Sequence, residues 1–173
     1  MSKPAILWVD LEMTGLDAEA ERIIEIAAIV TDWKFNELDT FELVVKQPAE
    51  LIEKMVPEVV KMHTSSGLIT KIASGESDEV AEARFLEFID MYFDEKPVLL
   101  AGNSIHQDRR FIRRYWPKAD SRLHYRMLDV SAWKVVFAQK YGIRFPKRNA
   151  HRALDDIRGS IEEMHGYLEH IKP

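Results

Sequence analysis

The run Ile6-Leu7-Trp8-Val9-Asp10-Leu11-Glu12 constrains this chain more than any other stretch. It is apolar enough to lie inside a sheet, yet it carries two acids two positions apart. On a β-strand, residues i and i+2 point to the same face. Asp10 and Glu12 would therefore aim two carboxylates at one point. Like charges held together raise each other's proton affinity unless a cation neutralises them. The usual cation for an all-oxygen cluster is Mg²⁺ or Mn²⁺. Taken alone, an Asp-x-Glu reads more simply as a strand end whose acids face water. Three distant residues, Asp108, His151 and Asp156, decide against that reading below.

The chain has 173 residues, with 46% apolar and 31% charged residues and no cysteine. That is enough for one domain over 1–173 with a full core. The lack of cysteine excludes a disulfide framework and a thiolate metal site, and it fits a cytoplasmic location. The apolar run after Met1-Ser2-Lys3-Pro4 meets an acid too early for a signal peptide or a membrane span. Charge is polarised along the chain. Residues 1–100 carry 9 Lys+Arg against 21 Asp+Glu, net −12, and residues 101–173 carry 15 against 8, net +7. Arg109, Arg110, Arg113, Arg114, Lys118, Arg122 and Arg126 form one basic stretch. Lys140, Arg144, Lys147, Arg148 and Arg152 form a second. About half of these side chains are accounted for as solvated helix faces. The rest suit a limited phosphate-binding surface beside an acidic metal site. An acidic chain is poorly suited to tracking long duplex by charge, so a short nucleic acid fits better.

Periodicity predicts strands over Ala5–Leu11, Arg22–Asp32 and Phe41–Val45 in an antiparallel meander. Leu51–His63 reads as irregular or helical, broken at Pro57, and Ser66–Ala73 as a short helix. Ser77–Phe93 is an amphipathic helix with Ser77 as its N-cap. A short strand over Val98–Ala101 follows, then a helix from about His106 to Tyr115 and a fifth strand over Tyr125–Val130. Ser131–Tyr141 is a helix capped by Ser131 and ended by Gly142, Lys147–Arg152 a loop, and Ala153–Ile171 the last helix. The order predicts an α/β fold: a mixed five-stranded sheet flanked by helices, with the first strand central. Asp10, Glu12, Asp108 and Asp156 could then meet over the end of that strand.

Asp10-Leu11-Glu12, Asn103 five before Asp108 with Phe111 three after, and His151 five before Asp156 resemble the three motifs of the DEDDh 3′→5′ exonucleases. Longer segments resemble the oligoribonuclease family within that group. They are Trp8–Leu16, His63-Thr64-Ser65-Ser66-Gly67-Leu68, Ala101–Ile105, His124–Ser131 and His151–Ile157, which together span nearly the whole chain. The resemblance implies a ribonuclease H-like fold and a homodimer. It implies hydrolysis of short RNAs, di- to pentanucleotides, to nucleoside 5′-monophosphates with two divalent ions, Mg²⁺ or Mn²⁺. Asp10, Glu12, Asp108 and Asp156 would be the metal ligands and His151 the general base. An imidazole of ordinary pKa near 6.5 suits that role at neutral pH.

The same resemblance points to substrate-binding residues. Leu16 would wedge between the terminal bases, or else be a core leucine. His63 would pack at the 3′ nucleotide. Ser104, Arg126 and Ser131 would hold the 5′ phosphate, by hydroxyl and guanidinium hydrogen bonds. Tyr125 would reach into the neighbouring subunit's site, or else pack as a strand aromatic. One position departs from the family: Glu58 stands where many members carry a tryptophan, which removes a base-stacking platform there. Two other readings compete. One is a sister exonuclease acting on DNA ends, which the His-Tyr-Arg and His-Thr-Ser-Ser-Gly-Leu segments oppose. The other is a binding module without catalysis, which has no reason to keep repelling carboxylates together.

Overall fold

Strand β1 (Ile6–Met13) runs through the middle of a five-stranded sheet in this computed structural model, which describes residues 3–145 and 152–171. The other strands are β2 (Ile23–Thr31), β3 (Glu37–Val44), β4 (Val98–Gly102) and β5 (Leu123–Asp129), and the order across the sheet is β3-β2-β1-β4-β5. The β1–β2 and β2–β3 pairs are antiparallel, and β1–β4 and β4–β5 are parallel. The expected meander and central first strand are both present.

Alternation along β1 separates a core face from a site face. Leu7, Val9, Leu11 and Met13 join a core with Phe85 and Ile89 of α3 (Asp78–Tyr92) and Phe111 and Ile112 of α4 (Ile105–Tyr115). Ile6 and Trp8 face the other way, into a second core with Ala153, Ile157, Met164 and Tyr167 of α7 (Ala153–Glu169). Asp10 and Glu12 continue the Ile6–Trp8 side, so they emerge under the start of α7. Burial of two whole sheet faces supplies the driving force that holds this arrangement.

Parallel pairing of β1 with β4 covers only Ile6–Trp8. Beyond it the β4 chain leaves at Gly102, where a Cβ atom would stand 2.7 Å from the Val9 carbonyl oxygen. Only glycine permits that approach, which turns the chain into α4 beside the exposed flank of β1.

Several boundaries differ from the sequence expectation. β1 runs on to Met13, so Glu12 lies inside the strand. β3 begins at Glu37, before its apolar run, because polar residues serve an edge strand well. The stretch around Pro57 is two helices, α1 (Ala49–Glu53) and α2 (Pro57–Ser65); the proline starts the second, where its missing N–H costs nothing. Ser66–Ala73 is not an α-helix but turns leading into a 3₁₀ turn at Ile72–Ser74. Helix α5 (Pro117–Arg122) was not expected at all. Helix α6 (Val130–Val136), extended by a π-helical turn over Phe137–Tyr141, is capped by Asp129 rather than Ser131: the Asp129 carboxylate accepts the Ser131 N–H at 2.9 Å. Of the expected Lys147–Arg152 loop, only Arg152 is among the described residues. No helix among the described residues is long and apolar enough to cross a membrane.

Candidate active site

Three carboxylates converge where β1 passes under α7. Oxygens of Asp10, Glu12 and Asp156 all lie within 4.8 Å of one another. Burial pushes the Asp10 carboxyl well above the usual range, and Asp108, Glu12, Asp156 and Glu25 push it further. Burial, then Glu25, Asp156 and Asp108, raise Glu12 from 4.5 to about 8. Such a group resists ionising unless a cation is present, and its donors are all hard oxygens. The donor set therefore fits a divalent ion of the Mg²⁺ or Mn²⁺ kind.

Asp108 is buried in the first turn of α4 and stands just outside this trio. Its Oδ1 accepts the Leu11 N–H at 3.0 Å, filling the flank that β4 leaves open. Burial raises its carboxyl to about 7, against the opposing pull of the Leu11 and Asp108 backbone N–H groups. Four of the five expected catalytic residues thus gather at one end of β1. The fifth, His151, lies outside the described residues.

The sequence reading missed a fifth carboxylate. Glu25 on β2 is 2% exposed and sits opposite Glu12 in the strand register. Burial and Glu42 raise its pKa, while Arg152, Lys71 and a hydrogen bond from the Ala153 backbone N–H lower it. That hydrogen bond satisfies one of the free N–H groups at the start of α7, the helix that carries Asp156. Arg152 in turn donates to Glu42 Oε1 at 2.8 Å, which ties the same helix start to β3. The signal was available: Glu25 is the lone charge in Ile23–Val30.

The expected binding residues fall into three groups. Leu16 is 75% exposed, so it is no core leucine; its carbonyl accepts a hydrogen bond from Gln107, the neighbour of Asp108. His63 is 1% exposed, with Nε2 donating to the Met13 carbonyl at 3.0 Å and Nδ1 3.8 Å from Glu12. Burial lowers its pKa and favours the neutral ring. Glu58, at the departure from the family pattern, is exposed in the first turn of α2.

Ser104 and Ser131 meet, with their hydroxyl oxygens 2.8 Å apart. Asp129 Oδ1 accepts both of their backbone N–H groups at 2.9 Å, and the Ser131 hydroxyl also donates to Asn103. Ser104 is held at φ 56°, a left-handed conformation that these contacts sustain. Arg126 is not joined to the pair by any hydrogen bond among the described residues. Its guanidinium lies 5.1 Å from the centre of the Tyr125 ring, which is itself 72% exposed and stacked on His124. Tyr125 is therefore not a packed strand aromatic.

Comparison with known proteins places the chain. The exonuclease family profile matches residues 7–164. An oligoribonuclease of Francisella tularensis subsp. holarctica (strain OSU18) is 43% identical over 171 residues, covering 96% of this chain and 95% of that protein. An oligoribonuclease of Actinobacillus succinogenes is 43% identical over 174 residues, covering 98% and 96%. Among solved structures, the zinc-bound form of an E. coli ExoI–single-stranded DNA complex matches with a TM-score of 0.74 at 16% identity. That match covers 99% of this chain but 42% of the ExoI chain, so this chain spans less than half its length. The likeness is one of fold, the ribonuclease H-like sheet.

Proposed function

The chain belongs to the oligoribonuclease family of exonucleases, and on that premise we propose that it is a metal-dependent 3′→5′ exoribonuclease acting on very short RNAs. Its substrates are di- to pentanucleotides and its products nucleoside 5′-monophosphates. The protein acts as a cytoplasmic homodimer of one exonuclease domain, residues 1–173. The observation that carries the reading is the convergence of Asp10, Glu12 and Asp156 oxygens within 4.8 Å, with Asp108 beside them.

These four carboxylates would hold two divalent ions, Mg²⁺ or Mn²⁺. When bound, such ions would supply stabilisation of the charge on the attacking and leaving oxygens of an in-line displacement. Asp10 would serve both ions, Glu12 and Asp156 one of them, and Asp108 the other. Water attacks the scissile phosphorus and the P–O3′ bond breaks, releasing the terminal nucleotide with its 5′ phosphate. His151 takes the proton from that water, and the departing O3′ takes one from solvent. Leu16, exposed at the rim, wedges between the last two bases. His63 backs the 3′ nucleotide's side through Met13 and Glu12. The Ser104–Ser131 pair receives the substrate's 5′ phosphate, aided by Arg126, and Tyr125 reaches the neighbouring subunit's site. Capping that phosphate makes substrate length a recognised feature and favours dinucleotides.

The test is release of mononucleotides from 5′-phosphorylated RNAs two to seven residues long, with Mn²⁺, with Mg²⁺ and with chelator. Metal-dependent cleavage steepest for the dinucleotide is expected. Asp10→Ala and Asp108→Ala should each cut turnover at least about a hundredfold with the fold intact. Preference for DNA or for longer chains would move the protein to a sister activity. Full activity in either variant would overturn the site.

A further inference from the structure

His106 occupies the first turn of α4, beside the paired serines, and its side chain is 64% exposed. Its Nδ1 lies 3.4 Å from Asp129 Oδ2. The other oxygen of that same carboxylate accepts the Ser104 and Ser131 N–H groups. Asp129 is thus a hub: one oxygen orders the serine pair and the other faces the His106 ring. Arg126, the basic residue expected at this place, points its guanidinium over Tyr125 instead. Within the described hydrogen-bonded network of the two serines, His106 is the basic side chain.

That arrangement has an electrostatic consequence. A terminal phosphate carries between one and two negative charges near neutrality. Brought to the serine hydroxyls, it would meet the Asp129 carboxylate directly behind them. Two anions so close need a cation between them. An imidazolium donates from both nitrogens, so it can bond a carboxylate through Nδ1–H and a phosphate through Nε2–H at once. With Nδ1 directed at Asp129, the Nε2 end of the exposed ring is left for a ligand.

We propose that His106 is a specificity residue of the terminal-phosphate pocket, a donor from the same chain that bridges Asp129 and the substrate's 5′ phosphate. The proposal rests on the reading that Ser104 and Ser131 receive that phosphate. It assigns to His106 the link between that phosphate and Asp129, in addition to the aid proposed for Arg126.

The experiment compares kcat/KM for a 5′-phosphorylated diadenylate and for its 5′-hydroxyl form, in the intact enzyme and in His106→Gln, His106→Lys and Ser131→Ala. In His106→Gln the preference for the phosphorylated form should fall about five- to tenfold, through its KM, as for loss of one partly solvated charged hydrogen bond. His106→Lys should recover much of it. An unchanged preference in His106→Gln with a lost one in Ser131→Ala would overturn the role of His106 and leave the pocket standing. An unchanged preference in both would remove the pocket, and His106 with it. Equal losses on both substrates, or no recovery with lysine, would also overturn the proposal.

Discussion

At the scale of single residues, the site is a set of carboxyl groups whose burial opposes their ionisation. Glu12 at about 8 and Asp108 at about 7 both stand far above the range of an exposed carboxylate, chiefly through burial. The folded protein therefore keeps protons that the unfolded chain releases near pH 4. Between those values the native state binds more protons, so metal-free stability must fall as pH rises. The melting temperature of chelator-treated protein should drop from about pH 5 to about pH 8, and Mn²⁺ should raise it most at the upper end. Glu12→Gln should flatten that slope. A metal-free melting temperature that stays level or climbs over this range would contradict the charge states described here. Asp10 and Glu12 were legible as a pair from strand spacing, whereas Asp108 and Asp156 joined them through the resemblance to the exonuclease motifs. Glu25 stood out as the lone charge of an apolar strand, but its role was not legible because it depends on which strand lies opposite Glu12 and on where α7 begins.

At the scale of elements, what the sequence displayed was periodicity, and what it concealed was support arriving from elsewhere in the chain. The helix over Asp78–Tyr92 announced itself through Ser77 and its apolar stripe, and Ser77 does accept the Val80 N–H at 3.3 Å. Helix α5 has six residues and no cap of its own. Its first N–H groups go instead to Glu82 of α3, whose Oε1 accepts from Lys118 at 2.7 Å and Ala119 at 3.2 Å. No local pattern reveals such a partner. Glu82→Ala should destabilise the protein by about 1–3 kcal/mol, the cost of leaving partly buried donors unpaired. A shift of the urea midpoint at constant slope would measure it, and no shift would mean that α5 stands without this support. The same logic explains the misplaced cap at α6: Ser131 has the right chemistry, but Asp129 lies closer to the turn and takes the Ser131 N–H.

At the scale of the whole molecule, the acidic first hundred residues supply β1 and β2, and the basic remainder supplies α4, β5 and α7. The proposed dimer belongs to this scale. Light scattering should give twice the chain mass of 20.1 kDa, and Tyr125→Ala should lower turnover of dinucleotides without changing that mass. A single-chain mass would remove the proposed reach of Tyr125 across subunits. The convergence of Asp10 and Glu12 with Asp156 joins residues near opposite ends of the sequence. A ribosome making this protein therefore carries, until Asp156 has been added, a nascent chain whose carboxylate set is incomplete. The set closes only after the helix that carries Asp156 has emerged and docked, so on the proposed mechanism nuclease activity cannot precede the docking of α7.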